Sequence, residues 1–409
     1  LDTDIVVVGA GAAGIGAALE LRERGLSCVV LEAADRPGGR AFTDTTSLPG
    51  HWDQGCQWLH CADVNPLVAW ADRLGATYDR TRGFDSVRYR AAGRWLDAEE
   101  AHRETEAIAD GFGQIYAAAQ AGHDVPLSQA VPDRMPFLDT VLRLMSCDDL
   151  DRVSALGYGA YEDTDVNWRV LSGFGLLIER MADGLPIRLG QPVTAIEDLA
   201  RCVRVTASGG TLEARAAIVT CSTNLLASGT IRFSPGPARD LLALFEHVPC
   251  GDYEKVAIAL TRLPDEVRDV GNLFVSAGIG AEAPYFQIDG GTHPKMTLHM
   301  AGGLARDLSA AGAPTMIDFA LRHLEAAFGA GIRGTIRATA TTGWRRNPLV
   351  RGAYSYCRPG HAATRERLID ADTGRVAFAG EAFSRRWQAT AHGAYQSGRD
   401  VAARLAAAL

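Results

Sequence analysis

Long apolar runs are missing from this chain of 409 residues. No stretch of eighteen or more apolar residues occurs, so the sequence offers no membrane-spanning helix. Cysteine is sparse and never spaced Cys-x-x-Cys; with 8 cysteines scattered through 409 residues, a disulfide framework or zinc site is not expected. Blocks of basic residues are absent too. The net charge is -8, which argues against a nucleic-acid partner. Lysine is rare beside arginine, as GC-rich bacterial coding would give. Internal repeats, low-complexity linkers and a recognisable signal peptide are all lacking. Reduced thiols in a cytoplasm are therefore the default expectation, although the chain starts at Leu1 and a removed leader fits equally. The length suits two compact domains.

What is present begins at once. The apolar run Ile5–Val8 feeds into Gly9-Ala-Gly11-Ala12-Ala13-Gly14, a Gly-x-Gly-x-x-Gly turn. A helix is expected over Ala12 to Arg24, with Gly25 at its C-cap, and a second strand over Ser27 to Leu31 ends at Glu32 and Ala33. This strand–turn–helix–strand pattern suits the ADP half of a dinucleotide. Glycines let the backbone approach a pyrophosphate, the helix start supplies amides, and Glu32 can accept from ribose hydroxyls. Two more glycines follow between arginines, in Arg36-Pro-Gly38-Gly39-Arg40. They suit a tight backbone pass over phosphates, with a guanidinium to neutralise charge.

From here the chain resembles a family. Leu31-Glu-Ala-Ala-Asp-Arg-Pro-Gly-Gly-Arg-Ala-Phe-Thr43 is similar to the opening of the flavin-dependent amine oxidases, which include monoamine, polyamine and L-amino-acid oxidases. Further patches follow in family order: Gly55-Cys-Gln57-Trp58-Leu-His60, Gly251-Asp-Tyr-Glu-Lys255, Trp344 to Ser355 with its Gly352-Ala-Tyr354, and Phe378-Ala-Gly380-Glu381 through Thr390-Ala391-His392-Gly393. The stretch from Ala76 to Val166 carries no such motif.

The resemblance implies an α/β fold: a Rossmann-like FAD-binding domain with a second, α+β substrate-binding domain. The expected division is 1–75, 167–235 and 344–409 for FAD and 76–166 and 236–343 for substrate. Strands are expected around Val193–Ile196, Cys202–Ala207, Thr211–Ala214 and Ala216–Thr220, and helices over Ala98–Gln120, Phe137–Met145, Pro237–Phe245 and Thr315–Phe328. A helix from Gly393 onward would turn its N-terminus to the flavin. In the family, a valine placed like Val193 meets the adenine through its backbone, and Trp58 and Trp344 would pack near the ring system.

Four residues are candidates for chemistry. Strand alternation puts Lys255 on one face with Ala257 and Ala259, odd company for a solvated lysine. The family's matching lysine holds a water against flavin N5, where burial would lower its pKa. Tyr354 matches one wall of the aromatic cage that surrounds the amine. Thr390 stands where monoamine oxidases place a tyrosine, the second wall, and resembles polyamine oxidases and histone demethylases there. His60 matches an active-site histidine of polyamine oxidases and could exchange a proton with an ammonium. Each has a plain alternative as a core or surface residue. Ala353 occupies the place of the cysteine that attaches FAD covalently in monoamine oxidases, so FAD is expected to be noncovalent.

The resulting expectation is hydride transfer from the α carbon of a small-molecule amine to flavin N5. The imine would hydrolyse, and O2 or another acceptor would reoxidise the flavin, O2 giving H2O2. A desaturase acting on a non-amine substrate and a catalytically idle FAD protein are the alternatives. No membrane anchor is expected, and a homodimer is possible.

Overall fold

The computed structural model describes residues 1–81, 86–133, 135–276 and 283–409. Two sheets dominate them. The first has eight strands and joins the beginning of the chain to its end. Thr3–Val8 lies at its centre between Cys28–Leu31 and Gly210–Val219, parallel to both, and Gly210–Val219 also pairs in parallel with Val376–Phe378 near the C-terminus. Ile5, Val6 and Val7 are wholly buried because both faces of this strand are covered, which is why the run reads as continuously apolar rather than alternating.

Gly210–Val219 is one strand where two were expected. Its first half pairs antiparallel with Val203–Ala207 and its second half parallel with Thr3–Val8, so the break read near Arg215 marks a change of partner and not an end. The helix expected over Pro237–Phe245 also differs. Only Pro237–Asp240 is α-helical, and Leu241–His247 tightens to a 3-10 turn that sends Phe245 against Phe378 and Phe383. The helices expected over Ala98–Gln120, Phe137–Met145 and Thr315–Phe328 lie over Ala98–Gln120, Pro136–Ser146 and Ala313–Phe328.

The first helix, Ala12–Glu23, packs along the last, Ala391–Ala408. Glycines permit the approach. A β-carbon on Gly16 would stand 2.3 Å from the Tyr395 carbonyl oxygen, and one on Gly398 would stand 1.9 Å from that of Ala13. No side chain fits in those gaps.

The second sheet has seven strands, in the order Ile336–Thr341, Tyr253–Leu260, Lys295–Ala301, Tyr285–Asp289, Asn272–Val275, Val87–Ala91, Arg94–Trp95. Its back is a core of Val256, Ile258, Leu298 and Met300 under the helices Gly302–Ala311 and Ala313–Phe328. On the front, Ala257 and Ala259 pack against Leu48 and Trp52 of an N-terminal loop, their short side chains letting that loop close on the strand. Among the described residues, no helix is long and apolar enough to cross a membrane.

Candidate active site

The strand Tyr253–Leu260 splits its chemistry between its faces. Glu254 points back and is fully buried. Its carboxylate accepts from the amides of Trp344 (3.1 Å) and Arg345 (3.1 Å) and from the Thr342 hydroxyl, which fixes the turn that carries Trp344. Lys255 points forward, one of only two lysines in the chain. Its Nζ donates to the carbonyl oxygens of Asp53 (3.0 Å) and Gly55 (2.7 Å), with Gln57 Oε1 at 3.4 Å. Burial pulls its pKa down to about 8, against the opposing attraction of Asp53. Trp344 closes the same loop from the side, donating Nε1–H to the Gln54 carbonyl (3.0 Å). A β-carbon on Gly55 would stand 1.6 Å from the Arg40 carbonyl oxygen, so this position takes only glycine.

Across the front of the sheet, in register with Lys255, lie His299 and Tyr285. The Tyr253 hydroxyl meets His299 Nδ1 at 2.7 Å, and burial holds this histidine well below its usual pKa, assisted by Lys255 and Arg169. Asp289 continues the row, paired with Arg169 and with Lys295 (3.0 Å). Sequence reading missed this row. The alternation that singled out Lys255 would have found it if carried across Tyr285, Gln287 and Asp289. Gln57 Nε2 faces Gln287 Oε1 at 2.5 Å and so ties the 53–57 loop to the same row.

Tyr354 sits beside this face. Its ring lies 5.8 Å from that of Tyr253, tilted by 46°, and its hydroxyl donates to the Leu144 carbonyl at the end of Pro136–Ser146. These two rings pack on each other, too close to sandwich a third group. Thr390 adds no wall. Its hydroxyl caps the last helix, accepting from the Gly393 amide (3.0 Å) and donating to the Trp387 carbonyl (2.8 Å). Ala391 begins that helix.

His60 follows Trp58, in the short strand Trp58–Leu59 that pairs with Trp168–Val170. The adjoining chain places Asn167, whose Oδ1 lies 2.7 Å from His60 Nδ1. An amide oxygen only accepts, so the ring proton sits on Nδ1 and Nε2 keeps its lone pair. Burial lowers the pKa of His60, although Asn167 and Asp163 oppose it, so the ring is neutral at pH 7. His392, the second residue of the last helix, is buried with its pKa pulled down to about 3 by burial and by His60.

The two ends of the chain meet at a buried ion pair. Arg40 Nη1 donates to Glu381 Oε1 (2.8 Å) and to the Ala353 carbonyl. Glu381 also accepts from the Ser355 hydroxyl (2.6 Å) and the Ala389 amide (3.1 Å). Burial works against its charge, but Arg40 and Arg365 outweigh it and hold its pKa below the usual value. Arg40 thus already has a protein counter-charge in Glu381.

The glycine cradle lies beside this pair. Gly9 has φ +102° and Gly39 φ +58°, conformations that favour glycine, and Gly11 bridges to Gly38. Gly11 caps the first helix without a side chain, so its first-turn amides face an open approach. Glu32 spans the second strand's end, accepting from the amides of Ala10 (2.7 Å) and Ala34 (2.8 Å). Ala33 lies between the two, and the amide of Gln191, two residues before Val193, donates to the Glu32 carbonyl (2.8 Å). Gly380, with φ +145°, sends its amide to Ser397 (3.2 Å) in the last helix.

Comparison with known proteins decides the family. Residues 133–406 match the family described as flavin containing amine oxidoreductase, and residues 7–74 match the NAD(P)-binding Rossmann-like domain. The chain belongs to the flavin-containing amine oxidoreductases. It is 27% identical to polyamine oxidase 4 of Oryza sativa subsp. japonica, over 96% of this chain and 86% of that one. Two solved structures share its fold: the cyclohexylamine oxidase of Brevibacterium oxydans IH-35A (TM-score 0.81, 23% identity, 100% of this chain and 99% of that one) and a wild-type putrescine oxidase bound to putrescine (TM-score 0.80, 22% identity, the same coverage).

For a flavin-containing amine oxidoreductase the donors fit the cofactor, which is FAD. Gly11 has no β-carbon where a pyrophosphate would approach, while Gly9 is packed against the Thr220 hydroxyl, 2.5 Å from where its β-carbon would stand. At Gly14 a β-carbon would stand 1.8 Å from the Gly9 carbonyl oxygen and destroy the turn. Uncapped amides at Ala12, Ala13 and Gly14 suit an anion, and Glu32 retains lone pairs for a ribose hydroxyl.

Proposed function

We propose that this chain oxidises a small-molecule amine at the carbon bearing nitrogen, and that the imine hydrolyses to an aldehyde or ketone plus amine or ammonia. Bound FAD supplies the two-electron acceptor, with O2 as the terminal oxidant and H2O2 as its product. The observation that carries the reading is Lys255: a buried lysine whose strand neighbours on the same face are Ala257, Ala259 and Tyr253, held by three oxygens of the loop after the cofactor cradle.

In this reading Lys255, once it has lost its proton, takes a water at the reacting edge through the Nζ lone pair, its N–H groups being held by Asp53, Gly55 and Gln57. His60 Nε2 receives a proton from the incoming ammonium, since only a neutral amine gives up hydride. The Tyr354 ring supplies one aromatic surface against the amine, pinned by its bond to Leu144. Tyr253, His299 and Tyr285 line the sheet beyond it and keep water out.

Incubation with a panel of amines under air tests the reading. A carbonyl product and peroxide should appear in equal amounts. Carbonyl without peroxide would move the electrons to another acceptor, and neither product with any amine would count against amine oxidation.

A further inference from the structure

A cavity of about 510 Å³ lies outside the cofactor cradle and the lysine face, lined by Asp148, Arg152, Cys250, Tyr356 and, at its mouth, Arg345, Arg346, Arg351 and Arg358. Five arginines thus face one carboxylate, in a protein whose net charge is -8. The carboxylate is already satisfied. Asp148 pairs with Arg152 (3.1 Å) and accepts from the Tyr356 hydroxyl (2.6 Å). Arg345 is matched by the buried Asp252 (3.0 Å), which it shares with Arg306 (3.0 Å).

Three cations remain. Arg358 gives one nitrogen to the Glu246 carbonyl (2.8 Å), and among the described residues neither it nor Arg346 nor Arg351 has a carboxylate partner. Arg351 is held where it is at some cost. Its φ of +62° lies in the left-handed region that favours glycine. The turn is fixed from both sides: the Arg351 amide donates to the Asn347 carbonyl (2.9 Å), and the Asn224 side-chain amide donates to the Arg351 carbonyl (2.7 Å). The same amide group reaches the Cys250 carbonyl (2.8 Å), so the cavity wall is braced rather than loose.

We infer that this cavity is a binding site for a compact, multiply charged oxyanion, either a phosphate-bearing or a polycarboxylate small molecule. Its volume is that of a small-ligand site. Guanidinium forks bind both phosphate and carboxylate oxygens bidentately, and clustered arginines with no counter-charge concentrate such an anion. None of its lining residues belongs to the glycine cradle, and Arg40, bound to Glu381, meets the cavity wall only at Cys250 Sγ (3.8 Å).

Calorimetric titration of the FAD-loaded protein tests this, with inorganic pyrophosphate in one arm and citrate in the other, at an ionic strength fixed by sodium chloride. Saturable binding at one site per chain is expected for at least one anion, and the tighter arm identifies phosphate or carboxylate as the natural chemistry. Arg346→Glu and Arg351→Gly should each weaken it by roughly tenfold or more, with flavin content unchanged and no fall in melting temperature. Arg346→Lys, which keeps the charge, should retain part of the affinity. Absence of saturable binding in both arms, equal affinity in Arg346→Glu and Arg351→Gly, or release of FAD by the anion would overturn the assignment.

Discussion

Lys255 exchanges the solvation of bulk water for three oxygens of one loop, and that exchange is incomplete, which is why its pKa falls to about 8. Lys255→Met should leave the fold and FAD content intact and slow flavin turnover in reduction, in reoxidation or in both. Stopped-flow traces with an amine, then with O2, separate the two; wild-type rates in both would remove Lys255 from the mechanism. Flavin reduction should rise with pH as Lys255 loses its proton near 8, and this inflection should be missing in Lys255→Met. His60→Ala should shift the same profile if, as proposed, its Nε2 lone pair accepts the proton, whereas an unshifted profile would make His60 structural. Arg40 and Glu381 obey different energetics. Arg40→Met leaves a buried carboxylate without its main partner, a loss on the order of 3–5 kcal/mol for a buried pair, and thermal denaturation with flavin release should show it. The pair's pH dependence follows from the lowered pKa of Glu381. Its contribution is complete above the unfolded carboxylate value of about 4.3 and is lost as pH falls through the lower folded value.

Elements explain what could be read from the sequence. The glycine turn, its helix and its strand were legible because local chemistry dictates them: a run buried on both faces, glycines at positive φ, and an acid at the strand's end. The lysine strand was legible from alternation alone. Harder to see was that Gly210–Val219 is continuous, since its change from antiparallel to parallel pairing depends on partners remote in sequence. Phe245 turned an expected helix into a tighter coil because its cluster with Phe378 and Phe383 lies more than 130 residues away, beyond any local propensity. Thr390, noticed for the aromatic it replaces, is a helix cap, a role its residue type and position before Ala391 would have suggested. The meeting of the first and last helices makes its own prediction. Gly398→Ala puts a methyl where 1.9 Å separates its β-carbon from the Ala13 carbonyl oxygen. Overpacking of this kind costs about 1–3 kcal/mol or more, so the melting temperature should fall and flavin retention with it; an unchanged melting curve would mean that the helices part easily.

At the scale of the whole molecule, one sheet joins strands from both ends of the chain to those of residues 187–233, another joins residues 87–95 to 253–341, and the loop Asp53–Gln57 lies against Lys255 of the second. Ala353, buried beside Arg40, offers no thiol, and Cys357 is turned into the core toward the Ala362 carbonyl. Acid precipitation should therefore leave the flavin in solution; flavin retained in the pellet would indicate a covalent bond elsewhere. The central claim, that an amine delivers its electrons to the bound flavin, is most directly tested by mixing the yellow protein with a panel of amines in the absence of oxygen and recording the flavin spectrum. Bleaching of the oxidised flavin absorbance by at least one amine, with an imine or carbonyl product in equal amount, is the predicted result. A flavin that dithionite reduces but no amine does would contradict it.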